Sequence, residues 1–328
     1  MQLTLSSAGS YPRIGDAPDL QRHRRTYARR ERGEISPEEF RNVEDEVVAW
    51  VIREQIEAGM EVVTDGLIRW YDPYSHFCRG LEGVEVNGLL RFFDTNFYFR
   101  QPVVKAPIRR RGPIVLREYE FARSLSSRPV KPVLTGPYTL ARGSIVEAGY
   151  RSLHELALAY ARVLADEVKD LSGAGAQLIQ VDEPAIVGHP EDLNVLQEAL
   201  RGVAAERGTA QLLLHISFGD VAPLYRDLQA LPVDVLGLDF TYSPKLPALI
   251  ADLGSAKPLA LGLIDARNTK LETKESVFPV LDAVLPALTL GPTYLMPSCG
   301  LEFLPRERAR LKLETLRRLR DDYLGGRS

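Results

Sequence analysis

Short apolar runs, many of them rich in β-branched residues, alternate along the chain with longer stretches whose apolar positions recur at helical spacing. This alternation is typical of consecutive βα units, which build a parallel sheet covered by helices. We predict eight strands, at residues 3–7, 61–64, 131–134, 176–181, 211–214, 233–238, 258–264 and 293–296. Eight strands can close a barrel, so the pattern predicts an α/β fold of the (β/α)8 TIM-barrel type.

The helical pattern is clearest at residues 37–58, 153–171 and about 305–324. The segment 78–130 interrupts the rhythm and contains RFFDTNFYFR, which alternates as a strand does. We predict that it is an insertion after the second strand, a β-hairpin or small subdomain over the active face. Neither a repeat nor a low-complexity linker divides the sequence. Residues 1–328 are therefore predicted to form a single catalytic barrel domain.

Composition and charge narrow the class of protein. The 328 residues are 45% hydrophobic and 26% charged, which is typical of a globular protein with a substantial core. The formal net charge of −3 gives the chain no general attraction for nucleic acid or an anionic membrane. We interpret a local basic run as a solvated helix face rather than a phosphate site. The run consists of Arg22, Arg24, Arg25, Arg29 and Arg30.

The sequence predicts a cytoplasmic location. Cys78 and Cys299 are the only cysteines, so a disulfide framework is not expected and a reducing compartment is favoured. The first residues, MQLTLSSAGS, lack the basic and apolar regions of a secretory signal. No apolar run approaches the roughly 20 residues that a membrane-spanning helix needs.

Three potential metal ligands follow predicted strands at the face where such barrels place their active sites. They are His215, Asp239 and Cys299. Imidazole, carboxylate and thiolate all bind zinc, and three protein ligands leave one position open, as in catalytic zinc sites. A substrate thiol bound there would lose its proton and become a nucleophile. On spacing alone, a structural role for a lone histidine or cysteine remains open, as does simple capping of the next helix.

Five motifs connect these residues to a known family. They are GSYPR at 9–13, TGPYTLAR at 135–142, QVDEPAI at 180–186, LHIS at 214–217 and MPSCGL at 296–301. In this order the chain resembles the catalytic, C-terminal domain of cobalamin-independent methionine synthases, in a half-length form. The resemblance covers nearly the whole chain. It implies a TIM barrel in which zinc activates a thiol for methylation.

The resemblance also implies a ligand set. His215 and Cys299 match the family's zinc-binding histidine and last cysteine, and Asp239 stands where the family has a glutamate. Ser217 replaces a cysteine ligand, and a serine hydroxyl is a weak ligand for zinc. Three interpretations stay open: zinc held by three protein ligands and a water, a harder metal, or a relative that has lost the metal.

Substrate contacts are implied in the same way. Ser10 matches the serine that meets the substrate carboxylate, and Asp182 matches the aspartate that holds the substrate amino group. Glu183 shares the DEP motif with Asp182 and is predicted to contact the substrate too. Arg13 could receive an anionic group or form a salt bridge at the rim. Leu67 departs from the family because relatives carry an amine-binding acid there; Asp65 or Asp72 could compensate.

The function implied by the resemblance is methyl transfer to a small thiol, with homocysteine giving methionine as the first hypothesis. The expected cofactor is zinc, and the methyl donor is a methylfolate or a methylcorrinoid, which could be bound to a carrier protein. Two alternatives remain. One is a related zinc-thiolate alkyl transferase acting on another thiol. The other is a degenerate, non-catalytic barrel that binds an amino acid or a partner protein.

Overall fold

The computed structural model describes residues 2–326, and its centre is a seven-stranded parallel sheet. The strands are β1 (Leu3–Leu5), β4 (Val133–Thr135), β6 (Leu178–Asp182), β7 (Gln211–Ile216), β8 (Val235–Asp239), β9 (Leu259–Ile264) and β10 (Thr293–Pro297). Their order in the sheet is β1-β10-β9-β8-β7-β6-β4. Seven of the eight predicted strands are therefore present.

The remaining predicted strand, at residues 61–64, closes the barrel without forming a regular ladder. Single parallel bridges join Ser6 to Val62 and Val63 to Val130, and so connect the two edges of the sheet. A side chain takes over part of the backbone pairing here. Gln55 accepts from the Thr64 N–H at 3.0 Å and donates to the Thr64 carbonyl at 2.8 Å. The circle of strands is thereby completed, which confirms the predicted barrel.

The helices surround this sheet, and the three clearest predictions are confirmed within two residues at each end. Ser36 and Ser152 accept N–H bonds at the starts of α2 and α6 and so fix where these helices begin. The α-helices are α1 (Arg22–Glu31), α2 (Pro37–Glu57), α3 (Ser75–Arg79), α4 (Leu116–Leu125), α5 (Pro137–Gly143), α6 (Leu153–Gly173), α7 (Leu193–Ala205), α8 (Tyr225–Leu228), α9 (Leu246–Leu253), α10 (Lys274–Val284) and α11 (Arg306–Gly325). Short 3₁₀ helices occur at Asp19–Gln21, Pro184–Gly188, Pro190–Asp192, Ala222–Leu224 and Leu285–Ala287.

The insertion after the second strand position is a hairpin, but it is shorter than predicted. Strands β2 (Leu81–Arg91) and β3 (Tyr98–Arg110) pair antiparallel, and β5 (Ile145–Val146) joins β3 in parallel. The later part of the predicted 78–130 segment is not inserted. It contains α4, the helix that leads to β4, so the irregular part ends near residue 110.

Two layers of apolar side chains hold the barrel together. A small cluster inside the sheet comes from strand positions and includes Leu213, Val235, Ala260 and Met296. A much larger core lies between the sheet and the helices. Among residues 2–326, no helix is both long and apolar enough to cross a membrane.

Candidate functional site

A small pocket opens at the carboxyl ends of the barrel strands. Its cavity is about 50 Å³, and five of its lining residues are among the predicted metal ligands and substrate contacts: Ser10, Asp182, His215, Ser217 and Cys299. They come from the ends of different strands, because parallel strands deliver the residues that follow them to one face of the barrel. The structure therefore brings these five residues of the sequence analysis together.

His215 lies at the back of this pocket and is almost fully buried. Its Nε2 is 3.0 Å from the Ser298 carbonyl oxygen, and its Nδ1 is 3.3 Å from Asp182 Oδ1. Asp182 and His215 are register partners on β6 and β7, which explains their contact. A carbonyl only accepts, so the contact with Ser298 is a hydrogen bond in the tautomer that carries its proton on Nε2.

A chain of hydrogen bonds fixes Asp182 from behind. Lys131 Nζ, which is fully buried, donates to Gln180 Oε1, and Gln180 Nε2 donates to Asp182 Oδ1 at 2.7 Å. Burial lowers the pKa of Lys131 to about 7. Lys131 and Gln180 were not among the residues predicted from the sequence to form the site. The available signals were that both are polar residues within predicted buried strands and that Gln180 begins the QVDEPAI motif.

Asp239, the third predicted ligand, is fully buried at the end of β8 and is not among the residues that line the pocket. Its Oδ1 accepts from the Thr241 N–H at 2.8 Å and from Thr241 Oγ1 at 2.6 Å. Its Oδ2 has no hydrogen-bond partner in the described chain, and Arg267 Nη2 lies 3.6 Å away. Burial raises the pKa of this carboxyl. Because Oδ2 is buried without a hydrogen bond, it also costs free energy in the folded state.

Cys299 follows β10 and is also buried. Burial, together with the charges of Glu302 and Asp239, raises the pKa of its thiol well above the usual value. Without a cation beside it, this sulfur therefore stays protonated at neutral pH. Cys78 lies outside the pocket, near Tyr160, and both cysteines are free thiols.

The donor set fits a metal in its chemistry. The Asp239 Oδ2 atom without a hydrogen bond and the buried Cys299 thiol are groups that a cation would stabilise. In the described chain, the one group of three ligand atoms within 4.8 Å of one another lies elsewhere, at His189, Glu191 and Asp192. Arg142 Nη2 lies 2.9 Å from both ring nitrogens of that histidine and would repel a cation.

The structure places two predicted substrate contacts outside the pocket. Glu183 caps α5, since its carboxylate accepts N–H bonds from Tyr138 at 2.9 Å and Thr139 at 2.7 Å. It turns away because neighbouring residues of a strand face opposite sides. Arg13 donates from Nε to the Ile68 carbonyl oxygen at 2.9 Å and lines a separate, larger cavity next to the pocket.

Glu302 is a further pocket residue that was not predicted from the sequence. Its Oε2 is buried and has no hydrogen-bond partner within residues 2–326, and the side chain lines the pocket. A Cβ atom at Gly300 would collide with both Glu302 Oε2 and Ser10 Oγ, so these two polar atoms meet at the same place. Burial raises the pKa of Glu302 to about 7.

The two acids considered as substitutes for an acid at position 67 have other roles. Asp72 accepts the N–H groups of Tyr74 at 2.9 Å and Ser75 at 2.6 Å. Asp65 accepts the Leu67 N–H at 3.0 Å and lies outside the lining of the pocket. Leu67 itself lines the pocket, with φ at +50°, a left-handed conformation that is costly for leucine.

Aromatic side chains cover the mouth of the pocket. Phe92 and Phe93, at the tip of the hairpin, contact Phe218, which follows the β7 strand. Phe93 and Phe218 stack at 5.2 Å, and both have positive φ values. Phe303 packs edge-on against Phe218 at 5.9 Å. This cover limits the access of water to the thiol and the imidazole beneath it.

The fold and the site together define an α/β-barrel enzyme whose reactive groups follow the strands at their carboxyl ends. A family model described as the catalytic domain of cobalamin-independent synthase matches residues 6–321. The chain belongs to this family, as its motifs implied, and it is an enzyme of the methyltransferase class.

Proteins of similar length are related to this chain by sequence. It is 31% identical over 311 residues to a methionine synthase of Saccharolobus solfataricus, covering 92% of this chain and 91% of that protein. A methionine synthase of Sulfolobus acidocaldarius is 31% identical over 308 residues, covering 92% and 88%. The chain therefore spans most of the length of these relatives.

Solved structures agree on the fold. A B12-independent methionine synthase from Shewanella sp. W3-18-1, in complex with selenomethionine, has a TM-score of 0.82 and 23% identity, covering 99% of this chain and 100% of that chain. A protein from Listeria monocytogenes described as a putative vitamin-B12 independent methionine synthase has a TM-score of 0.72 and 20% identity, covering 98% and 99%. At these identities the likeness supports the barrel fold and nothing finer.

Proposed function

We propose that this enzyme transfers a methyl group to the thiol of homocysteine and so produces methionine. The observation that carries the proposal is the pocket, in which Ser10, Asp182, His215 and Cys299 lie together under an aromatic cover. The names of the relatives support the same substrate, and the Shewanella structure holds selenomethionine, an analogue of the proposed product.

We propose zinc as the metal, with His215, Asp239 and Cys299 as its ligands. Zinc at this position would lower the pKa of a bound substrate thiol, so that a thiolate forms at neutral pH. Asp239 Oδ2 accepts no hydrogen bond in the described chain, and a metal bound there would compete with Arg267, whose Nη2 lies 3.6 Å away. Ser217 lines the pocket beside these residues but is a weak ligand, and we assign it no direct bond.

The remaining pocket residues would hold the amino acid. Ser10 can donate a hydrogen bond to the substrate carboxylate, and Asp182 can accept one from the substrate ammonium. Glu302 is a second acid beside them, and we propose that it supplies the negative charge that position 67 lacks. This residue favours homocysteine over a thiol without an amino group, so no other substrate is proposed.

The methyl donor is proposed to be a methylfolate or a methylcorrinoid, free or on a carrier protein. We also propose that residues 1–328 act as one catalytic domain in the cytoplasm. A reducing compartment suits this site, because the Cys299 thiol must remain free.

The first experiment compares metal content and thiol methylation in the parent protein, Cys299→Ala and Cys78→Ala. Cys78 is the matched control because it is equally buried and lies outside the pocket. We expect about one equivalent of zinc in the parent and the control, and little in Cys299→Ala. Methylation of homocysteine should be present in the parent and in Cys78→Ala, which bind zinc, and should be largely lost in Cys299→Ala.

Two outcomes would change the proposal. If neither the parent nor the control binds metal after reconstitution, Ser217 marks a site that has lost its metal. If zinc binds normally but homocysteine is not methylated with either donor, the metal site stands and the substrate assignment is wrong.

A further inference from the structure

A second, much larger cavity lies next to the pocket. Its volume is about 780 Å³, and it opens to solvent. It is lined by the loop after β1, by α1, α2 and the end of α3, by the loop at residues 68–71, by the hairpin and by the segment after Cys299. Trp70 and Glu302 line both this cavity and the pocket, so the two are adjacent. Nothing in the function proposed above uses this space.

Arginine dominates the polar lining of the cavity. Seven arginines and four carboxylates line it, although the whole chain has a net charge of −3. Only two of the seven arginines are neutralised directly: Arg69 pairs with Asp45, and Arg306 pairs with Glu54 at 2.9 Å. In the described chain, no carboxylate oxygen lies within 4.0 Å of the other five. These are Arg13, Arg24, Arg30, Arg79 and Arg100.

The carboxylates in the lining offset little of this charge. Burial raises the pKa of Glu44 to about 7, and it does the same for Glu302. A fraction of each is therefore neutral near neutral pH, which leaves a larger excess of positive charge. Unpaired guanidinium groups facing a cavity bind anions well, because each presents several N–H donors in one plane.

Aromatic rings provide a second kind of contact. Tyr27 and Tyr71 stack at 6.4 Å, and Arg100 lies over the Tyr71 ring at 4.9 Å. The Nε atom of Arg100 is buried and has no acceptor within the described chain. Arg79 lies over the same ring at 6.0 Å. A guanidinium stacked on a ring keeps its edge free for an acceptor.

We propose that this cavity is a binding site for a polyanion, a ligand with two or more phosphate or carboxylate groups, and that Arg79 and Arg100 contact those groups. A negatively charged ligand would neutralise the unpaired arginines and supply acceptors for their N–H groups. Two sources share this chemistry: an acidic portion of the methyl donor, or a separate anionic effector. The first source rests on the proposed function, and the second does not.

The test uses tryptophan fluorescence of the full chain. Trp50 and Trp70 are the only tryptophans, and Trp70 lines the cavity, so a Trp50→Phe background isolates the useful signal. Tripolyphosphate and citrate serve as the phosphate and carboxylate probes. We expect a saturable change in emission with at least one probe, and weaker binding as ionic strength rises.

Variants locate the site. In the double variant Arg79→Gln and Arg100→Gln, we expect affinity for the probe to fall by about tenfold or more, because two charge-assisted contacts are lost. Arg201→Gln is the matched control, since Arg201 is exposed on α7, away from the cavity, and its loss should change nothing. Equal affinity in the double variant and the control would overturn the proposal, as would the lack of saturable binding by either probe.

Initial-rate kinetics then distinguish the two sources. Inhibition by tripolyphosphate that is competitive with the methyl donor assigns the cavity to an acidic portion of the donor. Inhibition of another type, or activation, assigns it to a separate anion. If the enzyme has no methyl transfer activity, the proposed function fails, while the fluorescence result still decides whether the polyanion site exists.

Discussion

At the scale of single residues, the pocket depends on a buried line of polar side chains. Lys131 donates to Gln180 Oε1, so the amide group of Gln180 can have only one orientation. Its nitrogen must then donate to Asp182 Oδ1, which faces His215 at 3.3 Å. Asp182 is thereby held as a pure acceptor, which is the role required for binding a substrate ammonium.

Replacing Lys131 with methionine should lower the activity and, at the lower pH, raise the stability of the folded protein. We expect kcat/KM for methyl transfer to fall by roughly tenfold or more, since groups that orient binding residues typically contribute that much. Burial lowers the pKa of Lys131 from its usual value of 10.5 to about 7. Between these two pH values the unfolded chain therefore binds more protons than the folded chain. The buried charge therefore opposes folding most below pH 7, and this cost disappears as pH rises.

Chemical denaturation at about pH 6 and about pH 9 checks the sign for Lys131→Met. The variant should gain stability relative to the parent at the lower pH, and the gain should shrink at the higher pH. Lys169→Met, at an exposed position on α6, is the control and should leave both activity and this pH dependence unchanged. A loss of stability that is the same at both pH values would mean that Lys131 is not a costly buried charge.

Glu302 is the residue on which the choice of substrate depends. In Glu302→Gln, we expect KM for homocysteine to rise by about tenfold, because a charge-assisted contact to the ammonium becomes a neutral one. KM for 4-mercaptobutyrate, which has the thiol and carboxylate but no amine, should not change. An equal rise for both thiols would show a general disturbance of the pocket, and Glu302 would then not be the amine contact.

These residues differ in how far the sequence could predict them. His215 and Cys299 lie within motifs that could be matched to a family, and both line the pocket. Glu302 comes directly after the last motif, which ends at residue 301, and it belongs to no recognisable sequence pattern. Lys131 and Gln180 face the barrel interior, and their roles depend on contacts between strands far apart in sequence. Such contacts become visible only when the barrel closes.

At the scale of elements, the DEP motif shows why two adjacent acids have different functions. Asp182 ends β6 with its side chain toward the pocket. Glu183 comes next and faces the opposite side, where the first N–H groups of α5 lack partners within their helix. Thr139 Oγ1 also donates to Glu183, at 2.6 Å. The sequence identified an important pair of acids but could not distinguish which one caps a helix.

Because Glu183 caps α5, removing its side chain should lower the stability of the protein and leave substrate binding unchanged. In Glu183→Ala, three hydrogen bonds to a buried carboxylate disappear, so the free energy of unfolding should fall by roughly 2 kcal/mol or more. KM for homocysteine should stay within about twofold of the parent value in protein that remains folded. A selective rise in KM without a change in the unfolding midpoint would instead support the substrate contact expected from the sequence.

The second strand position and the insertion illustrate another limit on prediction from the sequence. Residues 61–64 have the apolar character of a strand, and they do close the barrel. A regular ladder does not form there, since the Gln55 side chain occupies both polar groups of the Thr64 backbone. Similarly, the alternation of the hairpin was visible in the sequence. Its end was not, because the N-cap residue of the following α4, Val115, has no capping side chain and the N–H groups there bond to the distant Glu167.

At the scale of the whole molecule, the net charge of the chain does not show how its charges are distributed over the fold. A net charge of −3 predicts no general affinity for anions, yet the fold gathers seven arginines around one cavity. Arg24 and Arg30 belong to the run that the sequence favours as a solvated helix face. Both are exposed, and both also line that cavity. Helical periodicity gives the face of a helix, but not what the rest of the chain places opposite it.

The same cavity contains Glu44, whose buried carboxyl should make stability depend on pH. Burial raises the pKa of Glu44 to about 7, so from its usual value up to that pH the folded chain binds more protons than the unfolded chain. Stability from this group is therefore complete at low pH and is lost as pH rises through about 7. Glu44→Gln cannot titrate and should be more stable than the parent above that pH, by about 3 kcal/mol at most.

Urea denaturation of metal-free protein at several values between about pH 5 and pH 8 measures this difference. The gap in stability between Glu44→Gln and the parent should widen from about pH 5 to about pH 7 and then stay constant up to about pH 8, because above the folded pKa both states of the parent are ionised. Glu57→Gln, at an exposed position on the same helix, serves as the control, and its stability should run parallel to that of the parent. If the curve for Glu44→Gln is also parallel to the parent curve, Glu44 is already ionised in the folded protein. Its negative charge would then offset part of the positive charge of the cavity, and the affinity for polyanions should be correspondingly weaker.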